Sequence, residues 1–177
     1  MAAHTRSLGW LWPATAAVSD ADWEALYARE LPRIYNFFRF RVGDDATAED
    51  LTSVTFEKAW RGRDKYRRDL AKFSTWLYAI ARNVATDHYR RSRVEVPIEE
   101  AAERRTGTTP EDDALRRSEF ERLAALLAEL PAREREVLAL RYGAEKSNRE
   151  IAALTGLGES NVGTIVHRAV AALRSKW

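Results

Sequence analysis

The sequence contains no cysteine among its 177 residues. Disulfides, thiolate metal sites and cysteine nucleophiles are therefore excluded, which suits a protein of the reducing cytosol. Its three histidines, His4, His88 and His167, are scattered along the chain, so we predict no metal site. No apolar run approaches the roughly 20 residues that a membrane-spanning helix needs, and we expect no membrane insertion.

The alternation of apolar and polar residues that indicates β-strands is also missing. Apolar residues recur instead at helical spacing, which predicts an all-α fold. A short apolar run near the start is interrupted by Pro13, and we interpret residues 1–19 as a flexible tail. Residues 95–113 show no periodicity and hold seven acidic residues against two arginines. We therefore predict two small helical domains, 20–94 and 114–177, joined by a flexible acidic linker.

In the first block, a Gly43-Asp44-Asp45 turn precedes a helix whose apolar residues cover more than one stripe. These residues are Leu51, Val54, Phe56, Ala59 and Trp60. A helix that faces solvent usually carries a single apolar stripe. Either both stripes are buried in the core, or one of them receives a helix of a partner protein.

A basic segment, residues 61–72, follows this helix and holds six basic and two acidic residues. The next helix is predicted from Phe73 to about Arg93, with Trp76, Asn83, Asp87 and Arg90 along one border of its apolar stripe. A basic loop and a basic helix that carry aromatic and amide groups could follow phosphates and contact unstacked bases. Either feature alone is also typical of a solvated surface.

The second block contains Ser147-Asn148-Arg149-Glu150, which has the pattern of a capping box. A short helix over residues 151–154 is followed by Gly156-Leu157-Gly158, and a last helix begins near Ser160. This order predicts a helix-turn-helix, whose second helix can lie in the major groove of DNA. The residues predicted to face solvent on that helix are Ser160, Thr164, His167 and Arg168. A generic helical hairpin is the alternative.

Several segments resemble a known family. In the first block they are residues 48–52, 56–60 and 73–91; in the second they are residues 130–131, 137–138, 140–142, 150–152 and 167–169. Together they are similar to the sigma-70 family of RNA polymerase sigma factors, and specifically to its extracytoplasmic-function (ECF) group. The resemblance covers residues 20–176. No middle domain intervenes, as in the compact ECF members.

The resemblance implies a sigma factor that binds core RNA polymerase and directs promoter-specific initiation. It would recognise the −10 and −35 elements and aid DNA melting. The implied partners are the β′ clamp helices and β flap of polymerase, promoter DNA and an anti-sigma factor. No cofactor and no catalytic residue is implied, and the expected location is the cytoplasm, in association with the nucleoid.

The resemblance also implies three sets of contact residues. Those expected to bind polymerase are Asp50, Leu51, Val54, Glu57 and Trp60. Those expected at the −10 element are Lys65, Tyr66, Arg67, Arg68, Lys72, Tyr78, Arg82, Asn83, Asp87 and Arg90. Those expected at the −35 element are Arg149, Ser160, Asn161, Thr164, His167, Arg168 and Arg174. The acidic linker would pass through the basic cleft of polymerase and compete there with the nascent RNA.

The sequence departs from the family pattern at three places. Ser53-Val54 stands where the family usually has glutamine and glutamate. Gly163 and Ile165 occupy positions where many members have lysine or arginine, so readout of the −35 element would depend more on DNA shape and backbone contacts. Glu145-Lys146 replaces a glycine and an apolar residue before the capping box, which leaves that turn undefined.

Alternative functions remain open at the level of sequence. A helix-turn-helix regulator that acts without polymerase would explain the second block, but it would leave the aromatic and basic first block without a role. A regulator that binds polymerase and never touches promoter DNA is a further alternative. An enzyme acting on nucleic acid would need an acid–base pair, metal-binding carboxylates or a phosphate loop, and no such constellation is evident.

Overall fold

The computed structural model describes residues 20–66, 70–95 and 111–177. Its elements are α1 (Asp20–Val42), α2 (Asp45–Gly62), α3 (Phe73–Glu95), α4 (Glu111–Ala128), α5 (Ala132–Leu138), α6 (Asn148–Thr155) and α7 (Glu159–Arg174), with a 3₁₀ turn at Arg63–Lys65 and a π-helical turn at Ala139–Gly143. These ranges contain no strand, which confirms the all-α prediction. The predicted tail and residues 96–110 of the predicted linker lie outside the described residues.

Helices α1–α3 form the first block around an aromatic core. Phe37, Phe38 and Tyr78 are fully buried there, and their rings meet edge to face. The turn between α1 and α2 is fixed by Gly43, which adopts a left-handed φ of 76°. Asp44 then caps α2 by accepting a hydrogen bond from the Thr47 amide at 2.7 Å.

Helices α4–α7 form the second block and contain the predicted helix-turn-helix. The Ser147 amide donates to the Glu150 carboxylate at 2.9 Å, and the Glu150 amide donates to the Ser147 hydroxyl at 3.3 Å. The predicted capping box is therefore confirmed. The hydrogen bonds that the Ser147 amide and hydroxyl donate to the Glu150 carboxylate lower the pKa of Glu150 below its ordinary value. Gly156 ends α6 with a φ of 73°, a conformation that glycine adopts without strain.

The two blocks pack against each other. One continuous apolar cluster includes Phe37 and Tyr78 of the first block and Leu140 and Ile151 of the second. The backbone of α1 lies so close to the π-helical turn that a Cβ placed on Gly143 would stand 2.7 Å from the Asn36 carbonyl oxygen. The sequence did not predict this contact, because its apolar residues satisfy the helical pattern of their own blocks.

Candidate nucleic-acid and polymerase interfaces

Helix α7 presents a polar face to solvent. Val162, Ile165 and Ala169 are buried, whereas Ser160, Asn161, Thr164, His167, Arg168 and Arg174 are all exposed. Arg149, at the start of α6, is exposed as well. The predicted outward face is therefore accessible for major-groove contact. Ile165 is a core residue, so a lysine or arginine at this position could not reach a base in this fold.

One residue of that face is already paired. The Arg168 guanidinium donates to the Glu134 carboxylate at 2.5 Å, and two thirds of the Arg168 side chain is exposed. The Glu134 side chain is only 14% exposed, so transfer of Arg168 to a DNA phosphate would leave a partly buried carboxylate without this partner.

The side chain of Tyr66 packs inward and stabilises the segment before α3. Tyr66 is buried, its hydroxyl donates to the Ala71 carbonyl at 3.0 Å, and its ring lies 5.1 Å from that of Trp76. Tyr66 was placed among the expected −10 contacts, but in this arrangement its side chain is not accessible to DNA. Lys65 and Lys72 are exposed, as predicted for phosphate contacts, while Arg67 and Arg68 lie outside the described residues.

Tyr78 was also expected to contact the −10 element, and its burial argues against this contact. Its side chain is fully buried, the Lys146 ammonium lies 4.5 Å from its ring centroid, and burial raises the pKa of its hydroxyl. A residue enclosed between the two blocks cannot touch DNA in this arrangement. The sequence correctly placed Tyr78 on α3 but could not show which way its side chain pointed.

The remaining residues of the predicted −10 surface are divided by the contact between blocks. Asn83 and Arg90 are exposed, and Asp87 is half-buried with Arg90 at 3.2 Å. Arg82 instead points at the second block. Its Nε donates to Glu136 at 2.7 Å and its Nη1 donates to the Leu154 carbonyl. Leu154 lies in the last turn of α6, where free carbonyl groups attract cations, so Arg82 is withheld from DNA.

The predicted polymerase-binding helix exposes part of its apolar surface. Val54 and Trp60 are each 38% exposed, whereas Leu51 is 8% exposed and belongs to the core. The predicted polymerase-binding surface is therefore accessible at Val54 and Trp60, whereas Leu51 packs in the core. Contact of this surface with polymerase stays a prediction. Asp50 and Glu57 are exposed beside Val54 and Trp60. Trp60 is held by the Trp23 ring at 5.1 Å and by the Arg63 guanidinium, 3.7 Å from its ring centroid.

Tyr27 adds to the exposed aromatic residues of this region and was missed by sequence reasoning. It is 40% exposed and packs on Phe56 of α2, with ring centroids 4.6 Å apart. Its spacing in α1 is that of a core residue, so no signal in the sequence marks it as exposed. Large aromatic side chains that remain half-exposed are common in protein interfaces.

The departure Glu145-Lys146 lies at the contact between blocks. Glu145 has a φ of 55°, unusual for a residue other than glycine, and its carboxylate accepts from Arg33 of α1 at 3.0 Å. Lys146 is buried against Tyr78, and burial lowers the pKa of its ammonium, opposed by the charges of Glu30 and Glu150. Glu145 and Lys146, both in the second block, therefore contact side chains of the first block.

Two family descriptions match the chain: Sigma-70 region 2 over residues 26–94, and Sigma-70, region 4 over residues 120–173. The chain belongs to the sigma-70 family. Among its curated relatives are RNA polymerase sigma factors that it matches over most of their length. YlaC of Bacillus subtilis is 34% identical over 150 residues, covering 82% of this chain and 86% of YlaC. CarQ of Myxococcus xanthus is 33% identical over 158 residues, covering 85% and 86%.

ECF sigma factors are also among these relatives, and the chain is a member of that group. BldN of Streptomyces coelicolor is 32% identical over 162 residues, which cover 89% of this chain and 61% of BldN. Two solved structures share the fold. One is the sigma factor RpoE in complex with the anti-sigma factor NepR from Bartonella quintana, with a TM-score of 0.67 and 24% identity over 87% of this chain and 95% of RpoE. The other is CnrH with the cytosolic domain of CnrY, with a TM-score of 0.62 and 23% identity over 89% and 88%.

None of the helices among the described residues is both long and apolar enough to cross a membrane. Within the same residues, histidine and acidic side chains form no cluster that could hold a metal ion.

Proposed function

We propose that this ECF sigma factor binds core RNA polymerase through α2, reads the −10 element through the exposed part of α3 and the segment before it, and reads the −35 element through α7. The observation that carries the proposal is the joint presence, in one chain, of an exposed apolar stripe on α2 and an exposed polar face on the second helix of a helix-turn-helix. Residues 20–94 and 114–177 act as its two units. The protein works in the cytoplasm on the nucleoid and has no catalytic step of its own.

Binding to promoter DNA with and without polymerase tests this function. We expect the free chain to bind promoter duplex weakly and the chain with core polymerase to bind it tightly, because two weak DNA contacts act together only when polymerase fixes their spacing. A regulator that acts alone would bind the duplex equally tightly without polymerase, and a regulator that never touches DNA would leave promoter binding by the core enzyme unchanged.

The contact between blocks gives the sigma factor a closed state. Arg82 is bonded to Glu136 and Leu154, so it must leave the second block before it can meet a −10 strand. We propose that the closed state is inactive and that polymerase selects the open state. One of the two structural relatives is a sigma factor bound to an anti-sigma factor, and the other is CnrH bound to the cytosolic domain of CnrY. We propose that an anti-sigma factor likewise binds this chain and favours its closed state.

Removing the exposed apolar side chains of α2 should weaken polymerase binding. For Val54→Ala with Trp60→Ala we expect roughly tenfold weaker association with core polymerase, as for buried aromatic residues at interfaces generally. Fluorescence titration of labelled core enzyme measures the effect. Trp177→Ala removes an aromatic side chain of similar exposure from the second block and serves as the control.

The loss of polymerase binding can be assigned to the interface only if the variants are folded. Circular dichroism and thermal unfolding should show both variants folded, since Val54 and Trp60 are only partly buried. By contrast, Leu51→Ala should cost about 2 to 5 kcal/mol of stability because it empties a core position. If the folded double variant bound core polymerase as tightly as the wild type, α2 would not be part of the interface with polymerase.

Substitutions on α7 should separate base readout from phosphate contact. We expect Thr164→Ala or His167→Ala to change which −35 sequences are used, because both side chains lie on the exposed face of the helix. Arg174→Ala, at the end of the same helix, should weaken use of all −35 sequences alike. Transcription from a library of randomised −35 elements distinguishes these outcomes, and identical profiles for all three variants would exclude base readout by α7.

A further inference from the structure

A basic cavity lies between the two blocks, beside the predicted −10 surface, with which it shares only Arg90 among its described lining residues. Its volume is about 830 Å³. The residues that line it are Arg41, Thr86, Tyr89, Arg90 and Ser92 of the first block, and Ala132 and Arg135 of the second. Three arginines therefore line one cavity, and no acidic residue is among its described lining residues.

Two of these arginines have unused hydrogen-bonding capacity. Arg41 is only 7% exposed, and its Nη1 donates to the Ala132 carbonyl at 3.0 Å. Arg135 donates from Nη2 to the Leu130 carbonyl at 3.4 Å. The Nε atoms of both residues are buried and have no hydrogen-bond partner among the described residues. Buried polar groups are normally paired, so this position lacks an acceptor.

The arginines are held in place rather than free to move away. The Tyr89 hydroxyl donates to the Arg41 carbonyl. Its ring lies beside both guanidinium groups, with its centroid 5.3 Å from the Arg41 Cζ and 6.0 Å from the Arg135 Cζ. Such cation–π contacts fix the planes of the guanidinium groups.

The described acidic residues near the cavity are already paired with arginines. Glu136 accepts from Arg82 at 2.7 Å, and Asp87 pairs with Arg90 at 3.2 Å. The charges of Arg135 and Arg82 add to burial in lowering the pKa of Arg41, while Glu136 and Tyr89 oppose them. Among the described residues, the cavity thus keeps an excess of positive charge that neighbouring carboxylates do not neutralise.

We propose that this cavity binds a phosphate-bearing anion with at least two phosphoryl groups and that the bound anion favours the closed state. Guanidinium groups bind phosphate oxygens in a paired, planar geometry, and the cavity is large enough for a small-molecule ligand. Thr86 and Ser92 already donate their hydroxyl protons to Arg82 and His88 carbonyls, so recognition rests on the arginines. Because the walls come from both blocks, an anion that bridges them must oppose their separation.

Equilibrium dialysis of the full chain with radiolabelled inorganic pyrophosphate, at 0.15 M salt where weak surface attraction is screened, tests the proposal. We expect one pyrophosphate per chain, and binding roughly tenfold weaker for Arg135→Gln. Arg133→Gln is the matched control: it removes the same charge two residues away on α5, outside the cavity lining, from an exposed side chain. An equal loss for both variants, or no binding by the wild type, would overturn the proposal.

A second variant protects the test against a folding defect. Thr86→Glu places a carboxylate in the cavity at an exposed helical position, where glutamate is a better helix former than threonine. It should fold normally and lose pyrophosphate binding. Distance measurements between spin labels on α2 and α7 should show that pyrophosphate narrows the separation of the blocks in the wild type but not in Thr86→Glu. Unchanged distances in the wild type would contradict the link to the closed state.

The acidic residues of the chain are a rival source of oxyanions. Glu99→Gln, Glu100→Gln and Glu103→Gln together remove three carboxylates from the segment between the blocks. If this triple variant binds pyrophosphate and the wild type does not, the occupant is the chain itself and the proposal of an external phosphate ligand is wrong. Equal binding by both supports it.

Discussion

Joining the two blocks covalently should abolish initiation. The chain has no natural cysteine, so Arg33→Cys with Glu145→Cys introduces two unique thiols at positions whose side chains meet across the blocks at 3.0 Å. Two long side chains that meet at their tips place their backbones too far apart for a direct disulfide. A thiol-reactive cross-linker with a cleavable spacer is therefore needed. We expect the cross-linked protein to drive transcription no better than core polymerase alone, because Arg82 cannot leave the second block.

Cleavage of the spacer should restore activity, which would show that modification of the two thiols does not itself inactivate the protein. The matched control is Glu129→Cys with Lys176→Cys, a pair that meets at 2.5 Å inside the second block. Cross-linking this pair leaves the blocks free to separate and should preserve most of the activity. Full activity of the cross-linked Arg33/Glu145 pair would show that the closed arrangement is compatible with promoter opening.

Replacing Gly143 by alanine should weaken the contact between the two blocks and increase initiation. A Cβ on Gly143 would stand 2.7 Å from the Asn36 carbonyl oxygen and 3.0 Å from the Phe37 Cα, and backbone atoms cannot move aside cheaply. Overpacking of this kind costs about 1 to 3 kcal/mol. For Gly143→Ala we expect a larger radius of gyration in solution scattering. At limiting core polymerase we expect several-fold more initiation, because a larger fraction of the chain is competent to bind.

Gly62→Ala controls for the loss of a glycine. Its Cβ would meet only the Trp76 ring at 3.5 Å, an ordinary contact within the first block, and it should change neither scattering nor initiation. Binding of Gly143→Ala to isolated −35 duplex should equal that of the wild type, which would exclude damage to the helix-turn-helix. A variant as compact as the wild type, with unchanged initiation, would mean that α1 yields to the methyl group.

Local structure was predictable from the sequence because it depends on neighbouring residues. The capping box at Ser147 and Glu150, the turn at Gly43 and the polar face of α7 each follow from spacing within one element, and each is found in the structure. The family motifs predicted which helices contact polymerase and DNA, and these contacts stay predictions. They could not indicate the orientation of Leu51, Tyr66 or Tyr78, since a motif fixes a position in a helix and not the neighbour it faces.

Contacts between the blocks were not predictable for a related reason. Arg41, Tyr89 and Arg135 lie on three helices, and no spacing in the chain relates them. Arg82 fits a phosphate-binding surface by charge, yet it meets the end of α6 because a guanidinium satisfies free helix carbonyls as well as phosphates. Glu145-Lys146 departed from the family pattern in sequence, and the reason becomes clear only when Arg33 and Tyr78 are seen opposite.

We infer that this chain directs polymerase to promoters as a sigma factor. Transcription of genomic DNA by core polymerase with and without the chain, followed by sequencing of RNA 5′ ends, measures this activity. We expect discrete start sites that require the chain and that share two upstream elements, one near −10 and one near −35. The His167→Ala variant should alter the element near −35. Start sites identical to those of core polymerase alone would contradict this inference.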